Sequence, residues 1–368
     1  MGKKLLLAFL LAVAVLGAAR ADLPPGASPP AFIGGAQDWI NSPPLTWKAL
    51  RGKVVLVDFW EYTCVNCIRT DPYLKGWYER YQPYGFVIVG IQTPEFGFSA
   101  IKANVAVAAK RAVLRYPILN DPQSKNWSAY HENFWPSKYL FDQSGHLVLQ
   151  HAGEGAYQDT ERAIQRLLRQ THPNAKFPAV LPPQTPWDRS RADCRDDTGE
   201  LYANPAYGFL ANLPDAWERD KVSTFADQTR RPVDGKIYAS GRFITRYQSL
   251  QHARATKELQ DYILIRYHGT EVNVVVNRPT GEDYKVYATL DGKPIPKAGR
   301  GDDIKEDSRG SYFVVDEPRM FNVIRSAYGS HELKLASDSP DFDLYSYTFS
   351  GCPQKWRGKR ASEPVRFE

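Results

Sequence analysis

Val54-Val55-Leu56-Val57-Asp58-Phe59-Trp60, followed by Glu61-Tyr62-Thr63 and then Cys64-Val65-Asn66-Cys67, is the stretch that decides the fold. The apolar run, broken by a single acid, reads as a strand covered on both faces. The residues that follow, Asn66–Tyr81, carry Ile68, Leu74, Trp77 and Tyr78 at roughly helical spacing. The thiol pair therefore falls where a buried strand hands over to a helix. There the free N–H groups and the helix dipole favour thiolate, and a Cys-x-x-Cys thiol can have a pKa of roughly 3.5–7.5. Cys64, the more exposed by position, is the expected nucleophile toward a disulfide. Cys67, one turn in, is the expected resolving thiol.

Working outward, Phe86–Ile91 reads as a second buried strand and Ser99–Leu114 as an Ala-rich helix. Tyr139–Phe141 and Leu147–His151 flank Asp142-Gln143-Ser144-Gly145, which predicts a hairpin. A helix is expected from Asp159 through Leu168. Strands alternating with helices and closing on a hairpin and a helix imply an α/β sandwich over residues 45–172. Residues 22–44, rich in Pro, Gly, Ala and Ser, read as an extended leader. Pro173, Pro178, Pro182, Pro183 and Pro186 mark a semi-rigid linker over 173–193.

Beyond the linker helical patterns nearly vanish. Lys236–Tyr247, Tyr262–Tyr267, Val272–Asn277, Tyr284–Leu290, Tyr312–Val315, Phe321–Ile324, Glu332–Leu335 and Leu344–Phe349 read as successive strands. His268-Gly269, Asp291-Gly292 and Tyr328-Gly329 are read as turns between them. Residues 194–352 are thus expected to form an antiparallel β-sandwich of jelly-roll type, with a basic tail over 353–368. Its aromatic residues, Trp217, Tyr247, Tyr262, Tyr284, Tyr312 and Tyr345, either stack on a glycan or fill the core. A partner protein is an equal alternative as ligand.

The N-terminus has Lys3-Lys4, an apolar stretch from Leu5 to Ala19, and Ala19-Arg20-Ala21 before Asp22. This is the pattern of a cleaved secretory signal peptide over residues 1–21, which points to a periplasmic or other extracytoplasmic location. The net charge of +6 is spread out, without a stripe of Lys and Arg interleaved with aromatics, so nucleic acid is not indicated. In an oxidising compartment the remaining Cys194 and Cys352 are most simply one structural bridge, worth about 2–4 kcal/mol. The alternative is that one of them relays electrons to Cys64. A zinc site needs two more ligands with suitable spacing, which the sequence does not offer, and no metal or other cofactor is expected.

Val57 to Cys67 resembles the active-site strand and helix of thioredoxins. The broader stretch from Ser42 to Gln170 is similar to the exported TlpA and DipZ redoxins, through Trp60 to Thr70, Thr93-Pro94-Glu95-Phe96, Trp135-Pro136 and Gly153-Glu154-Gly155-Ala156-Tyr157. The following β domain also resembles the one that accompanies such redoxins. The resemblance implies a thiol–disulfide oxidoreductase with four further site residues. Pro136 matches a cis-proline beside the thiols, where a bound client chain would pair, and Trp135 would shape that contact or simply pack. Asp58 matches the buried acid that accepts the resolving thiol's proton, the alternative being an acid held for structure. Glu95 stands where TlpA-like reductants carry a functional acid, the alternative being an exposed loop carboxylate. Glu61 is expected to be solvated.

DipZ proteins carry a multi-span electron-delivering membrane domain that this sequence lacks, so a separate membrane donor similar to the DsbD or CcdA proteins is expected. Exported disulfide-containing proteins are the expected clients, apocytochrome c among them by analogy. Two other classes stay open. A thiol peroxidase would use Cys64 against hydroperoxide, although the close Cys67 favours disulfide exchange. A client- or glycan-binding protein would hold the thiol pair as a structural element.

Overall fold

The computed structural model describes residues 23–188, 195–229 and 231–351. Its first unit is a six-stranded mixed sheet built from β1 (Trp39–Ile40), β2 (Val54–Trp60), β3 (Phe86–Gln92), β4 (Ile118–Asn120), β5 (Ser137–Phe141) and β6 (Leu147–Ala152). The order is β1-β4-β3-β2-β5-β6, with β2, β3 and β4 parallel and β5 antiparallel to β2. Four helices complete the unit: α1 (Val65–Tyr81), α2 (Lys102–Arg111), α3 (Lys125–Ala129) and α4 (Tyr157–Thr171).

Every residue of β2 is buried, as its unbroken apolar pattern requires of a central strand. Val54, Leu56 and Trp60 face a core shared with α1, α2 and α4. Val55, Val57 and Phe59 face the opposite core, made with Tyr130, Tyr139 and the N-terminal segment. That segment is not a free leader. Residues 39–40 pair with β4, and Phe32 stacks on Trp47 with ring centroids 5.0 Å apart. The pairing and stacking bury aromatic surface that an extended leader would leave in water.

The Pro-rich segment runs along the outside of α1 and α4. Leu181 N–H donates to Glu161 Oε2 at 2.7 Å and Gln165 Nε2 to the Pro178 carbonyl at 2.8 Å. A Cβ on Gly76 of α1 would stand 2.7 Å from Leu181 Cδ1, so a larger residue there would have to displace the Leu181 side chain. Cys194, Cys352, residues 1–21 and the basic tail, with the readings attached to them, lie outside the described residues.

The second unit is all antiparallel β: β7 (Leu201–Tyr202), β8 (Val222–Phe225), β9 (Lys236–Thr245), β10 (Leu250–His252), β11 (Tyr262–Asn277), β12 (Tyr284–Leu290), β13 (Lys293–Pro294), β14 (Lys305–Asp307), β15 (Gly310–Val315), β16 (Arg319–Ala336) and β17 (Asp343–Ser350). The main order is β14-β15-β12-β16-β11-β17-β10-β9-β8, folded around one apolar core to which β9, β11, β12, β15, β16 and β17 all contribute. Two of the expected turns are not turns. Gly269 and Gly329 sit opposite each other inside β11 and β16, beside a register shift between Gly269 and Glu271. Glycine serves a bulge and a close approach here: a Cβ on Gly269 would lie 3.0 Å from the Ser350 carbonyl oxygen. Four short expected strands are therefore two long ones.

The units share an apolar junction. Val275 and Tyr345 of the β domain belong to the first unit's core, and Met320 and Tyr202 pack against it. The Tyr345 ring meets Phe96 and Phe98 edge-on at 5.1 and 4.8 Å. Gln248 brackets the same loop, accepting from Gly97 N–H at 2.8 Å and donating to the Glu95 carbonyl at 3.2 Å. Among the described residues no helix is long and apolar enough to cross a membrane. Tyr345→Ala is expected to open a cavity at this junction and lower stability by about 3 kcal/mol in urea denaturation. Tyr345→Phe, which keeps the ring, is expected to retain most of it.

Candidate active site

The thiol pair is placed by the end of β2 and the start of α1. Cys64 is the N-cap of α1, with extended backbone (φ −77°, ψ 116°), and its Sγ accepts the Cys67 N–H at 3.3 Å. A cap normally uses a Ser, Thr, Asp or Asn oxygen. Here sulfur takes that role, so the sulfur sits where the helix presents its positive end. Cys64 is part-exposed and Cys67 buried, and the two are not bonded to each other. Burial pushes the Cys67 thiol well above its ordinary pKa, with its contact to Cys64 adding to this. At neutral pH Cys67 therefore keeps its proton, and Cys64 is the sulfur that meets solvent.

Asp58 lies on the α1 side of β2, wholly buried, with neither carboxylate oxygen in a hydrogen bond. Burial raises its pKa to about 8, against the attraction of Lys138. Lys138 stands directly across the β2–β5 ladder from it, wholly buried as well. Burial lowers the lysine pKa to about 8, opposed by the charge of Asp58 and, more weakly, by Cys67. Lys138 Nζ donates to the Gly153 carbonyl at 3.0 Å and lies 5.5 Å from the centre of the Tyr157 ring. A buried acid, a buried base and a buried thiol thus meet under the active-site turn. Pattern reading missed Lys138, because a lysine two residues past Trp135-Pro136 looks like a solvated strand residue. Its one mark in the sequence is the position opposite Asp58, which becomes visible once the strands are paired.

The Trp135–Pro136 peptide is cis. Pro136 is buried and its carbonyl accepts Gly153 N–H at 2.7 Å. Trp135 is half-buried and packs on Trp127, with ring centroids 4.3 Å apart. Glu132 ties the preceding loop by accepting the N–H groups of Asn133 and Phe134 and the Tyr139 hydroxyl at 2.6–2.9 Å. Phe134 is 50% exposed at the tip of this loop. The 153–157 stretch connects the parts. Gly153 bonds both Pro136 and Lys138, while the Tyr157 hydroxyl reaches Thr70 of α1 at 3.0 Å.

Glu61, expected in solvent, is instead wholly buried. It organises the turn before the nucleophile: its carboxylate accepts from Thr63 N–H at 2.6 Å and from the Thr63 hydroxyl, and its carbonyl accepts Cys64 N–H at 3.2 Å. Burial and the charge of Glu95 raise its pKa to about 7. Glu95 is half-buried and, by loss of water, is also raised. Its Oε1 accepts the hydroxyl of Tyr202 from the β domain at 2.5 Å. Arg69, on the first turns of α1, reaches across to Glu271 at 3.2 Å and lies 4.5 Å from the centre of the Trp187 ring. Among the described residues no group of His, Cys, Asp and Glu is arranged to hold a metal ion.

A thiol pair capping a helix after the central strand of this sheet, with a cis-proline at the start of β5, defines a thioredoxin-like domain. An AhpC/TSA family model matches residues 30–150 and a thioredoxin-like C-terminal domain model matches residues 201–350. Protein DipZ of Mycobacterium tuberculosis (strain CDC 1551 / Oshkosh) is 34% identical over 271 residues, 72% of this chain and 37% of its own length. Thiol-disulfide oxidoreductase ResA of Geobacillus kaustophilus is 30% identical over 117 residues, 32% of this chain and 64% of its own length. A solved thiol-disulfide isomerase from Corynebacterium glutamicum shares 18% identity at a TM-score of 0.34, covering 38% of this chain and 96% of that one. The chain belongs to the TlpA/DipZ-type thioredoxin-like redoxins, and it spans well under half the length of the DipZ protein it matches.

The raised pKa of Asp58 sets a sign for stability. Between its ordinary 3.8 and about 8 the folded protein holds a proton that the unfolded chain releases, so stability falls as pH rises across that window. Asp58→Asn removes this loss. Its stability relative to the parent is expected to grow from pH 4 to pH 8 in urea titrations. A difference that stays flat would show that Asp58 is ionised throughout.

Proposed function

We propose that the protein is an exported thiol–disulfide oxidoreductase that reduces disulfides in exported client proteins. The observation that carries this reading is the pair itself: a part-exposed sulfur at a helix N-cap, 3.3 Å from the N–H of a buried, protonated second cysteine. Cys64 thiolate attacks a client disulfide, forming a Cys64–client bond and releasing the other client sulfur as thiolate. Cys67 then gives up its proton to Asp58 in its ionised form, which the charge of Lys138 opposite it favours, and attacks Cys64. The Cys64–client bond breaks, its electron pair leaves on the client sulfur, and Cys64–Cys67 is left as a disulfide. Two electrons have passed to the client, and a membrane donor of the DsbD or CcdA kind would return the pair to the dithiol. Apocytochrome c is a client class that fits this chemistry.

Client binding is assigned to Trp135, Pro136 and the exposed Phe134 beside the thiols, and a supporting acid role to Glu95. Cys194 and Cys352 are assigned to one structural bridge. In the β domain, Tyr284 and Tyr345 are buried and Trp217, Tyr262 and Tyr312 half-buried, which supports core filling for these rings; Tyr247, 73% exposed, is the ring left for a glycan or protein ligand.

Cys67→Ser is expected to accumulate mixed disulfides on Cys64 with exported proteins, resolved by non-reducing gels and mass spectrometry, and Cys64→Ser to trap none. In a redox titration the parent pair is expected to equilibrate near the roughly −270 mV of thioredoxin, a value near −120 mV marking an oxidant instead. A pair that exchanges with no disulfide would overturn the oxidoreductase reading.

A further inference from the structure

The β domain places one hydroxyl into the acid group that lies beneath the thiol turn. Glu61 follows β2 and Glu95 follows β3, and these neighbouring strands run parallel with Trp60 opposite Gln92. Their ends are held together by Thr93 N–H donating to the Trp60 carbonyl at 3.1 Å. The charge of Glu95 reaches the Glu61 carboxyl. Both are withdrawn from water, so an ionised Glu95 raises the cost of ionising Glu61. Glu61 is also the residue whose carboxylate and carbonyl hold Thr63 and Cys64.

Tyr202 enters from the other domain. Its strand β7 pairs with β17 through Tyr202 and Ser346. Its ring stacks on Tyr207 at 4.6 Å and tilts against Phe96 at 6.3 Å, which leaves the hydroxyl aimed at Glu95 Oε1, 2.5 Å away. The groups that face this acid pair are Glu61 and Thr63 on the turn after β2, Ser99 after β3, and Tyr202 with Glu200 on the β domain. Gln248 binds only the backbone of the Glu95 loop. Glu200 has an exposed surface, yet its carboxyl end is crowded by protein and then by the charge of Glu95, and is raised to about 7 although the Tyr202 hydroxyl reaches it as well as Glu95.

We propose that Tyr202 is a positioning residue for the thiol chemistry: its hydroxyl holds the Glu95 carboxylate beside the turn that carries Cys64, and the charge so fixed favours the proton on Glu61, against the two Thr63 donors that favour its ionised form. A donor to the charged form of an acid favours that form. With Glu95 ionised, its neighbour Glu61 keeps its proton to higher pH. The β domain would thereby complete the acid side of a site whose sulfurs belong entirely to the first domain. The link to thiol reactivity rests on the oxidoreductase reading above, whereas the proton placement does not.

The test is Tyr202→Phe, which removes one oxygen and keeps the ring in its stack. The full-length protein is labelled at the glutamate side-chain carboxyl carbon and titrated by NMR, with Glu95→Gln and Glu61→Gln used to assign the two signals. Loss of the donor is expected to raise the Glu95 inflection by roughly one pH unit, since such a hydrogen bond contributes about that much. The Glu61 inflection is expected to fall, because its neighbour now shares the proton. Glu95→Gln is expected to lower the Glu61 inflection too, and Tyr202→Phe on that background to add nothing. The neutral-pH inflection in the rate of reduction of a small aromatic disulfide is expected to move with the pair. Rates at a pH between the two inflections then differ by up to about tenfold. Unchanged carboxyl titrations in Tyr202→Phe would overturn the proposal, as would the same Glu61 shift persisting in the Glu95→Gln background. If the parent reduces no disulfide, the oxidoreductase reading fails, and the carboxyl titrations still decide whether Tyr202 places the proton.

Discussion

The site depends on one constraint: strand β2 is buried along its whole length and still carries Asp58. A carboxyl in that position is shut off from bulk solvent, and none of the described residues donates a hydrogen bond to it. The relief available is a charge of opposite sign, supplied by Lys138 from the facing strand at equal burial. Two such groups are expensive to bury, and a pair of apolar residues of similar size would often serve stability as well or better. What the pair offers, under the proposed exchange, is a place for a proton. Burial drives the acid and the base toward each other until both titrate at about 8. In that exchange the buried Cys67 thiol, its own pKa raised, hands its proton to the ionised form of the acid.

The surrounding geometry follows from holding this group still. Lys138 is fixed by the Gly153 carbonyl, and Gly153 is fixed by Pro136. Tyr157, four residues on, carries the same connection to α1 through Thr70 and stacks on Tyr73 at 3.7 Å. The cis-proline loop, Lys138 and the thiol helix are therefore joined through hydrogen bonds and the 153–157 stretch. A displacement at any of these points moves the others, which is what a site holding two sulfurs within reach of a third requires.

Much of this was legible in one dimension. An unbroken apolar run has few readings other than a central strand, and Cys-x-x-Cys after it places sulfur at a helix start. The hairpin at 142–145 was marked by its turn residues. What escaped was whatever only pairing or packing reveals. Lys138 is readable only when β5 is laid against β2, and Glu61 looks like any acid in a loop until the turn folds around it. Tyr202 is 107 residues from Glu95. In the β domain, His268-Gly269 and Tyr328-Gly329 misled because glycine marks both turns and bulges. The choice between the two is made by the partner strand, and here each glycine is the other's partner.

The junction explains why the second domain is tied to this particular surface. Its contacts fall on the loop that carries Glu95, Phe96 and Phe98 and on the first turns of α1, through Arg69. Those are the two segments that flank the thiol turn. Arg69 is almost fully enclosed between Glu271 and the Trp187 ring, and Arg325 also approaches Glu271 at 3.6 Å. An enclosed guanidinium that lost Glu271 would keep only the more distant Glu154, 3.9 Å away, so separating the domains is costly at the place where the helix bearing the sulfurs begins. The apolar contacts of Tyr345 and Val275 add area to the same seam. The second domain thus packs on both segments that flank the thiol turn, through Tyr202 and Tyr345 on the 95–98 loop and Glu271 on α1.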